Sequence, residues 1–99
     1  MKHMVTYTLR PECVAENEEL AAAVYAELAR ERPPGVRYAT FRLEDGASFL
    51  HLVSYEGPGD NPLTALPAFK AFSSGVRERC ARLPVRTALT EIGSHGVFD

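Results

Sequence analysis

Apolar residues change their spacing several times along the chain, and each change predicts the start of a different element. Residues 4–9 (MVTYTL) are rich in β-branched and aromatic types, which favour a β-strand, and Pro11 ends it. In residues 14–32, Leu20, Val24 and Leu28 stand four positions apart, which is the spacing of an amphipathic helix. The sequence PPG directly after this segment ends the helix.

The second half of the chain predicts three more strands and one more helix. Residues 36–44 and 48–56 predict two strands, and the Asp-Gly pair between them is typical of a β-hairpin. After a loop over residues 57–64, a helix is predicted from residue 66 or 67 to residue 82, and a last strand over 85–92. The apolar face of this helix consists of Phe69, Phe72, Val76, Cys80 and Leu83.

The resulting order, β-α-β-β-α-β, is that of the ferredoxin-like α+β fold. In this fold four antiparallel strands form one sheet, and two helices cover one of its faces. With 99 residues, the chain is expected to form a single domain over residues 1–99.

Both faces of the predicted sheet carry apolar side chains. The third strand places Leu50 and Leu52 on one face and Phe49, Val53 and Tyr55 on the other. One copy of the chain has helices for one face alone, and an uncovered apolar sheet face is an association surface. We therefore expect a homodimer in which two sheets pack face to face.

Charge and cysteine content narrow the range of partners. The 11 basic and 13 acidic residues give a formal net charge of −2, whereas nucleic-acid-binding proteins are normally basic, so no nucleic acid is expected as a partner. No apolar run is long enough to span a membrane. Cys13 and Cys80 are too few for a disulfide framework and favour a cytoplasmic location. His3 and His95 lack a third ligand at metal spacing, so no metal site is expected.

Three stretches of the chain resemble segments of a known family, namely residues 36–41 (VRYATF), 49–56 (FLHLVSYE) and 66–72 (LPAFKAF). With the element order, they make the chain similar to the dimeric α/β-barrel superfamily, and most similar to its antibiotic biosynthesis monooxygenase branch. This resemblance implies a dimeric α/β barrel that oxygenates a small hydrophobic aromatic or quinol-like substrate without a cofactor. Haem-degrading members of the superfamily use a tryptophan, which this chain lacks, so no haem is expected.

His51 is the candidate catalytic residue. Oxygenation without a cofactor needs a base that removes a proton from a phenol or an activated C–H group, in a dry pocket that holds the resulting anion. His51 lies between Leu50 and Leu52, where desolvation is expected to lower its pKa and keep the imidazole neutral. The alternative interpretation is a structural histidine, bonded to a neighbouring strand or buried in the dimer interface.

Seven further residues are candidates for substrate binding. Tyrosines on three strands could line a cavity, although half-buried tyrosines more often serve in packing. An arginine of the second strand, Arg37 or Arg42, could clamp an anionic oxygen, or else pair with Glu44, Glu56 or Glu91. Two phenylalanines of the second helix contact a ligand if a pocket opens beside them. The seven candidates are Tyr7, Arg37, Tyr38, Phe41, Tyr55, Phe69 and Phe72.

Two functions are compatible with these observations. The first is a small dimeric monooxygenase that works without metal or flavin. The second is a non-enzymatic dimeric α/β-barrel module that binds a small molecule. Neither uses Arg77, Arg79 or Arg82, which are expected on a solvated helix face.

Overall fold

The computed structural model describes residues 1–57 and 59–97; the predicted domain also includes Pro58, Phe98 and Asp99, which lie outside the described residues. The strands are β1 (Lys2–Leu9), β2 (Val36–Arg42), β3 (Ser48–Tyr55) and β4 (Cys80–Leu89). The helices are α1 (Val14–Glu31), α2 (Pro67–Ser74) and α3 (Val76–Arg79). Short 3-10 turns, Pro11–Cys13 and Pro62–Ala65, precede α1 and α2.

The four strands form one antiparallel sheet in the order β2-β3-β1-β4. Val24 of α1 and Phe72 of α2 pack in one core with Tyr7 and Phe49 of the sheet, so both helices cover the same face. The predicted ferredoxin-like α+β fold is therefore confirmed. Within the part of the chain that the structure describes, none of the helices has the length and apolar character needed to cross a lipid bilayer.

The first helix follows its predicted apolar stripe and ends one residue earlier than expected. Val24 is 1% exposed, and Leu20 and Leu28 pack against the same core. Arg32 leaves the helix with a left-handed backbone (φ 45°) and donates its N–H to the carbonyl of Leu28 over 2.9 Å. This ending suits the sequence, because a residue that precedes proline disfavours the helical conformation.

The second helical segment is shorter than the sequence predicts. α2 stops before Gly75 and α3 ends at Arg79, so the prediction of a helix through residue 82 is wrong. Cys80 continues the helical spacing of apolar residues, but it lies in β4 and pairs with Leu9. The carbonyl of Arg79 also accepts the N–H of Arg10 over 2.9 Å. Pairing with the C-terminal end of β1 therefore overrides the helical pattern from residue 80 onward.

Pro84 lies inside β4, although the sequence places it between a helix and a strand. The ladder between β1 and β4 shifts register here, since Thr6 pairs with Val85 whereas Thr8 pairs with Arg82. Proline is tolerated at such a bulge on an edge strand because the regular ladder is already interrupted. The last strand consequently runs over Cys80–Leu89 rather than over residues 85–92.

The two faces of the sheet differ in what covers them. On the helix side, Phe49 and Val53 are 3% and 4% exposed, whereas on the other side Phe41 and Val85 are 52% and 60% exposed. This second side, which we call the open face, carries Leu50, because Leu50 pairs with Phe41 and alternates with Phe49. The apolar residues of the open face include Met4, Phe41, Leu50, Leu52, Val85 and Leu89.

Candidate active site

A cavity of about 170 Å³ lies between the helix side of the sheet and α2. Its walls are largely aromatic and aliphatic, with polar groups at a few places, which is the usual composition of a small-molecule site. Its lining residues are His3, Val5, Tyr7, Tyr38, His51, Val53, Asn61, Phe69, Phe72, Ser73, Val76 and Pro84.

His51 lines this cavity and forms hydrogen bonds through both ring nitrogens. Its chain neighbours on β3 face the open side, so the alternation of the strand turns the imidazole toward the helices. Its Nε2 is 2.7 Å from the hydroxyl of Tyr7, and its Nδ1 is 2.5 Å from the hydroxyl of Tyr38 and 3.2 Å from Oγ1 of Thr40. The ring is thereby fixed in one orientation, and the residue is 3% exposed.

Two buried polar residues continue the network on the other side of Tyr7. The amide nitrogen of Asn17 in α1 donates to the Tyr7 hydroxyl, and its amide oxygen accepts from Nε of Arg79, each over 3.1 Å. Arg79 also donates from Nη2 to the backbone carbonyl of Phe72 over 2.8 Å. Its guanidinium carbon lies 5.2 Å from the centroid of the Phe72 ring. Asn17 is fully buried and Arg79 is 5% exposed, so both belong to the interior.

Because an arginine side chain can only donate hydrogen bonds, the donors and acceptors along this network can be assigned in order. Arginine donates hydrogen bonds and accepts none, so Asn17 presents its amide oxygen to Arg79 and its amide nitrogen to Tyr7. The Tyr7 oxygen accepts that bond, which leaves the Tyr7 proton to be donated to Nε2 of His51. The neutral imidazole then carries its own proton on Nδ1 and donates it toward Tyr38. One hydrogen-bonded chain therefore runs from Arg79 to Tyr38.

Three solved structures align with nearly the whole chain. Rv0793 from Mycobacterium tuberculosis has a TM-score of 0.72 and 17% identity, with 94% of this chain and 95% of that chain covered. A variant of SnoaB, a cofactor-independent oxygenase from Streptomyces nogalater, has a TM-score of 0.66 and 20% identity, with 96% and 95% covered. A protein named antibiotic biosynthesis monooxygenase has a TM-score of 0.69 and 15% identity, with 93% and 98% covered.

The chain has the antibiotic biosynthesis monooxygenase fold. The ferredoxin-like fold of the single chain that the sequence resemblance implies is thus confirmed, at identities of 15%, 17% and 20% in these three alignments. No protein-family model and no curated protein matches the chain. Because one fold supports many functions, the chemistry of this chain has to be derived from its own residues.

Burial favours the uncharged forms of His51, Tyr7 and Tyr38 at neutral pH. Desolvation lowers the pKa of His51 to about 4. Desolvation also raises the pKa of Tyr7 to about 12, although the hydrogen bond from Asn17 opposes the rise, and burial raises the pKa of Tyr38. A buried neutral imidazole takes up a proton most readily when a negative charge forms beside it.

The monooxygenase fold brings five of the eight predicted site residues to the cavity, namely Tyr7, Tyr38, His51, Phe69 and Phe72. Tyr55 is on the helix side of β3, but its ring contacts the ring of His3 edge-on, with 6.4 Å between the centroids. Arg37 and Phe41 are exposed on the open face, because the alternation of β2 turns them away when Tyr38 faces the cavity. The cavity therefore receives no side chain from Arg37, Phe41 or Tyr55.

Arg42 forms an ion pair that the sequence analysis does not anticipate. Its Nη1 lies 2.6 Å from Oε1 of Glu18 in α1, whereas the expected partners were Glu44, Glu56 and Glu91. Arg42 stands on the helix side of β2, where α1 supplies the nearest acid. The side chains are about half exposed, so this pair contributes at most about 1 kcal/mol to stability.

His3, Asn17 and Arg79 are polar residues of the site that are not among the eight candidates predicted from the sequence. Asn17 precedes Ala21 and Val24 on the apolar stripe of α1, and a polar residue at such a position is the signal that could have revealed it. The prediction that Arg79 is solvated is wrong, because the helix ends at Arg79 and its side chain turns into the core. Gly75 leaves room for this turn, since a Cβ there would lie 2.9 Å from Nη1 of Arg79.

Proposed function

We propose that the protein is a cofactor-independent monooxygenase of a small hydrophobic aromatic or quinol-like substrate. The observation that carries this proposal is the imidazole of His51, held between the hydroxyls of Tyr7 and Tyr38 beside a cavity with apolar walls. Such a site offers a base beside apolar walls, which suits the oxygenation of a phenol by O₂. The fold shared with SnoaB, a cofactor-independent oxygenase, supports the same class of reaction.

Tyr7 is the residue through which His51 receives the proton of the substrate. Because the Tyr7 hydroxyl occupies Nε2 of His51, a phenol in the cavity donates its proton to the Tyr7 oxygen while Tyr7 passes its own proton to Nε2. Burial raises the pKa of Tyr7 to about 12, so Tyr7 transfers the proton and does not remain as an anion. The imidazolium forms together with the substrate phenolate, whose negative charge compensates it.

The phenolate then reacts with O₂ at an unsubstituted ring carbon. A carbon–oxygen bond forms, and the resulting peroxide takes the proton back from His51. Water leaves together with the hydrogen of that carbon, and a ring carbonyl remains. One oxygen atom ends in the product and the other in water, and the substrate supplies all four electrons, so the reaction needs no external reductant.

The cavity is partly open to solvent and has room for a small ring system. Its volume of about 170 Å³ is close to that of an engineered protein cavity of about 150 Å³ that binds benzene. Pockets for larger ligands usually measure about 300–1,000 Å³. A single aromatic ring with small substituents is therefore the substrate that fits this cavity.

Uptake of O₂ with a panel of single-ring phenols and quinols tests the proposal. The wild-type protein is expected to consume O₂, whereas His51→Ala is expected to lose the activity by a factor of at least about 100. The matched control is His95→Ala, since His95 is an exposed histidine away from the cavity. Uptake that is equal in wild type and His51→Ala would remove His51 from the mechanism, and no uptake by the wild type would remove the monooxygenase proposal.

We also propose that two copies associate through their open faces. Phe41, which pairs with Leu50, is 52% exposed and Val85 is 60% exposed, and a second sheet would remove this apolar surface from water. The dimer would be the α/β barrel that the sequence resemblance implies. The free thiols of Cys13 and Cys80 fit a reducing compartment, so we place this dimer in the cytoplasm.

One observation favours a second candidate function, that of a module that binds a small aromatic molecule without reaction. Both ring nitrogens of His51 already have protein partners, and its pKa of about 4 makes it a weak base. Saturable binding of a single-ring phenol without any O₂ uptake would support this function over oxygenation.

A further inference from the structure

His3 is a second buried histidine of the cavity, and the proton transfer described above does not use it. It lies on the helix side of β1, lines the cavity with Val5, and is 6% exposed. Nη2 of Arg86 lies 3.3 Å from its Nδ1, and Tyr55 packs edge-on against its ring. Among the residues that the structure describes, Arg86 provides its one hydrogen bond.

The contact with Arg86 determines which nitrogen of His3 carries the proton. Arginine donates and does not accept, so Nδ1 of His3 is the acceptor and the neutral ring bears its proton on Nε2. Burial and the charge of Arg86 both lower the pKa of His3, which favours the neutral ring. Among the described residues, 1–57 and 59–97, the Nε2–H group thus has no hydrogen-bond acceptor, and His3 lines the cavity.

The sheet register places His3 and His51 at diagonal positions on neighbouring strands. His3 pairs with Val53 and His51 pairs with Val5, and both histidines are on the helix side. Diagonal positions of an antiparallel pair are about 7–8 Å apart. The two valines lie between the histidines, so the cavity has a polar group on either side of an apolar floor.

We propose that His3 determines substrate specificity by donating a hydrogen bond from Nε2 to an oxygen on the side of the substrate ring remote from the hydroxyl at Tyr7 and His51. The substrate class is then a single aromatic ring with two oxygens on opposite sides, such as a 1,4-dihydroxybenzene. This inference rests on the proposed function for the orientation of the ring. Arg86 acts on it as a positioning residue, because its donation to Nδ1 keeps the proton on Nε2.

The test compares the binding of two ligands of nearly equal size, 1,4-dihydroxybenzene and 4-methylphenol, by calorimetry without oxygen. The wild type is expected to bind the dihydroxy compound about tenfold more tightly, since the Nε2–H donor of His3 gains an acceptor on the ligand. His3→Phe, which keeps a ring and removes the donor, is expected to bind both ligands equally. His3→Gln, which restores an N–H group, is expected to recover part of the preference.

The outcomes separate this inference from the proposed function. Equal binding of both ligands by the wild type, or a preference that survives in His3→Phe, overturns the role of His3 and leaves the O₂ chemistry of His51 in place. If circular dichroism shows that His3→Phe is unfolded, two other measurements test the role of His3. They are ligand binding by His3→Gln and the position of the imidazole proton of His3 in ¹⁵N NMR of the wild type. A proton found on Nδ1 of His3 would overturn the inference. A His3-dependent preference without O₂ uptake would support the inference and overturn the monooxygenase.

Discussion

Arg79 donates a hydrogen bond to the amide oxygen of Asn17 over 3.1 Å, and this bond fixes which end of the amide faces Tyr7. An amide by itself is ambiguous, because its oxygen and nitrogen occupy similar positions. A guanidinium has no acceptor, so one orientation alone satisfies both neighbours of Asn17. Two residues outside the cavity lining thus favour the tautomer of His51 that carries its proton on Nδ1.

Asn17→Asp is expected to reverse the first part of the network while preserving its shape. The carboxylate still accepts from Arg79, but it also accepts from Tyr7, so the Tyr7 proton turns away from His51. O₂ uptake is expected to fall at least about tenfold, because the route to Nε2 is broken. The added negative charge is expected to raise the pKa of His51, which an NMR titration measures. Unchanged O₂ uptake and an unchanged His51 pKa would show that Tyr7 does not relay the proton.

Arg79→Met is expected to destabilise the fold as well as the site. The substitution leaves the buried amide oxygen of Asn17 without a donor, so the free energy of unfolding should fall by about 1–3 kcal/mol. Urea denaturation measures this change, and Arg77→Met is the matched control because Arg77 is exposed. The control is expected to stay within about 0.5 kcal/mol of the wild type. An Arg79→Met protein as stable as this control would contradict the structural role of Arg79.

Acid is expected to destabilise the protein between pH 6.5 and about 4, where His51 is neutral in the folded protein and protonated in the unfolded chain. The pKa of His51 is about 4 in the folded protein and 6.5 as its ordinary value, so the unfolded chain binds more protons between these limits. The contribution of His51 should therefore lower the free energy of unfolding by about 3 kcal/mol as the pH drops from 7 to 4. His3, whose pKa is also lowered, adds to the effect in the same direction.

Urea denaturation at a series of pH values measures this dependence. His51→Gln is expected to flatten the curve between pH 6.5 and 4, whereas His95→Gln is expected to leave it unchanged. Equal slopes in the wild type and His51→Gln would mean that the folded protein does not hold His51 as a neutral residue.

Phe41→Glu is expected to convert the proposed dimer into a monomer. A carboxylate in the middle of the open face would lie against the partner sheet without a counter-charge, which is costly to bury. Analytical ultracentrifugation measures the mass, and Ala23→Glu, at an exposed position of α1, serves as the matched control. A wild-type monomer, or a dimer that persists in Phe41→Glu, would rule out association through this face.

The sequence predicts the order of strands and helices because each of those segments has a clear period. The face of each residue on β2 and β3 also follows from alternation, which is why Leu50 and Phe49 are separated correctly. The end of the second helix cannot be predicted in this way. Cys80 fits a helical face and a strand equally well, and pairing with Leu9 decides between them.

The candidate site is predictable for residues whose strand position aims them inward. His51, Tyr7 and Tyr38 reach the cavity for this reason. Arg79 is not predictable, because its burial depends on where the helix ends and on a hydrogen bond to Asn17, which lies 62 positions earlier in the chain. The candidates Arg37 and Phe41 lie on the open face. Their position could not be predicted, because the sequence does not show which face of β2 the helices cover.

Reaction with ¹⁸O₂ tests the monooxygenase proposal most directly. The protein is incubated with 1,4-dihydroxybenzene under ¹⁸O₂, and mass spectrometry of the product and of the water follows the label, with His51→Ala as the control. One labelled oxygen atom is expected in the hydroxyquinone product and one in water, with formation of labelled product at least about 100-fold slower in His51→Ala. A product without labelled oxygen, or label incorporated equally by His51→Ala, would contradict the proposal.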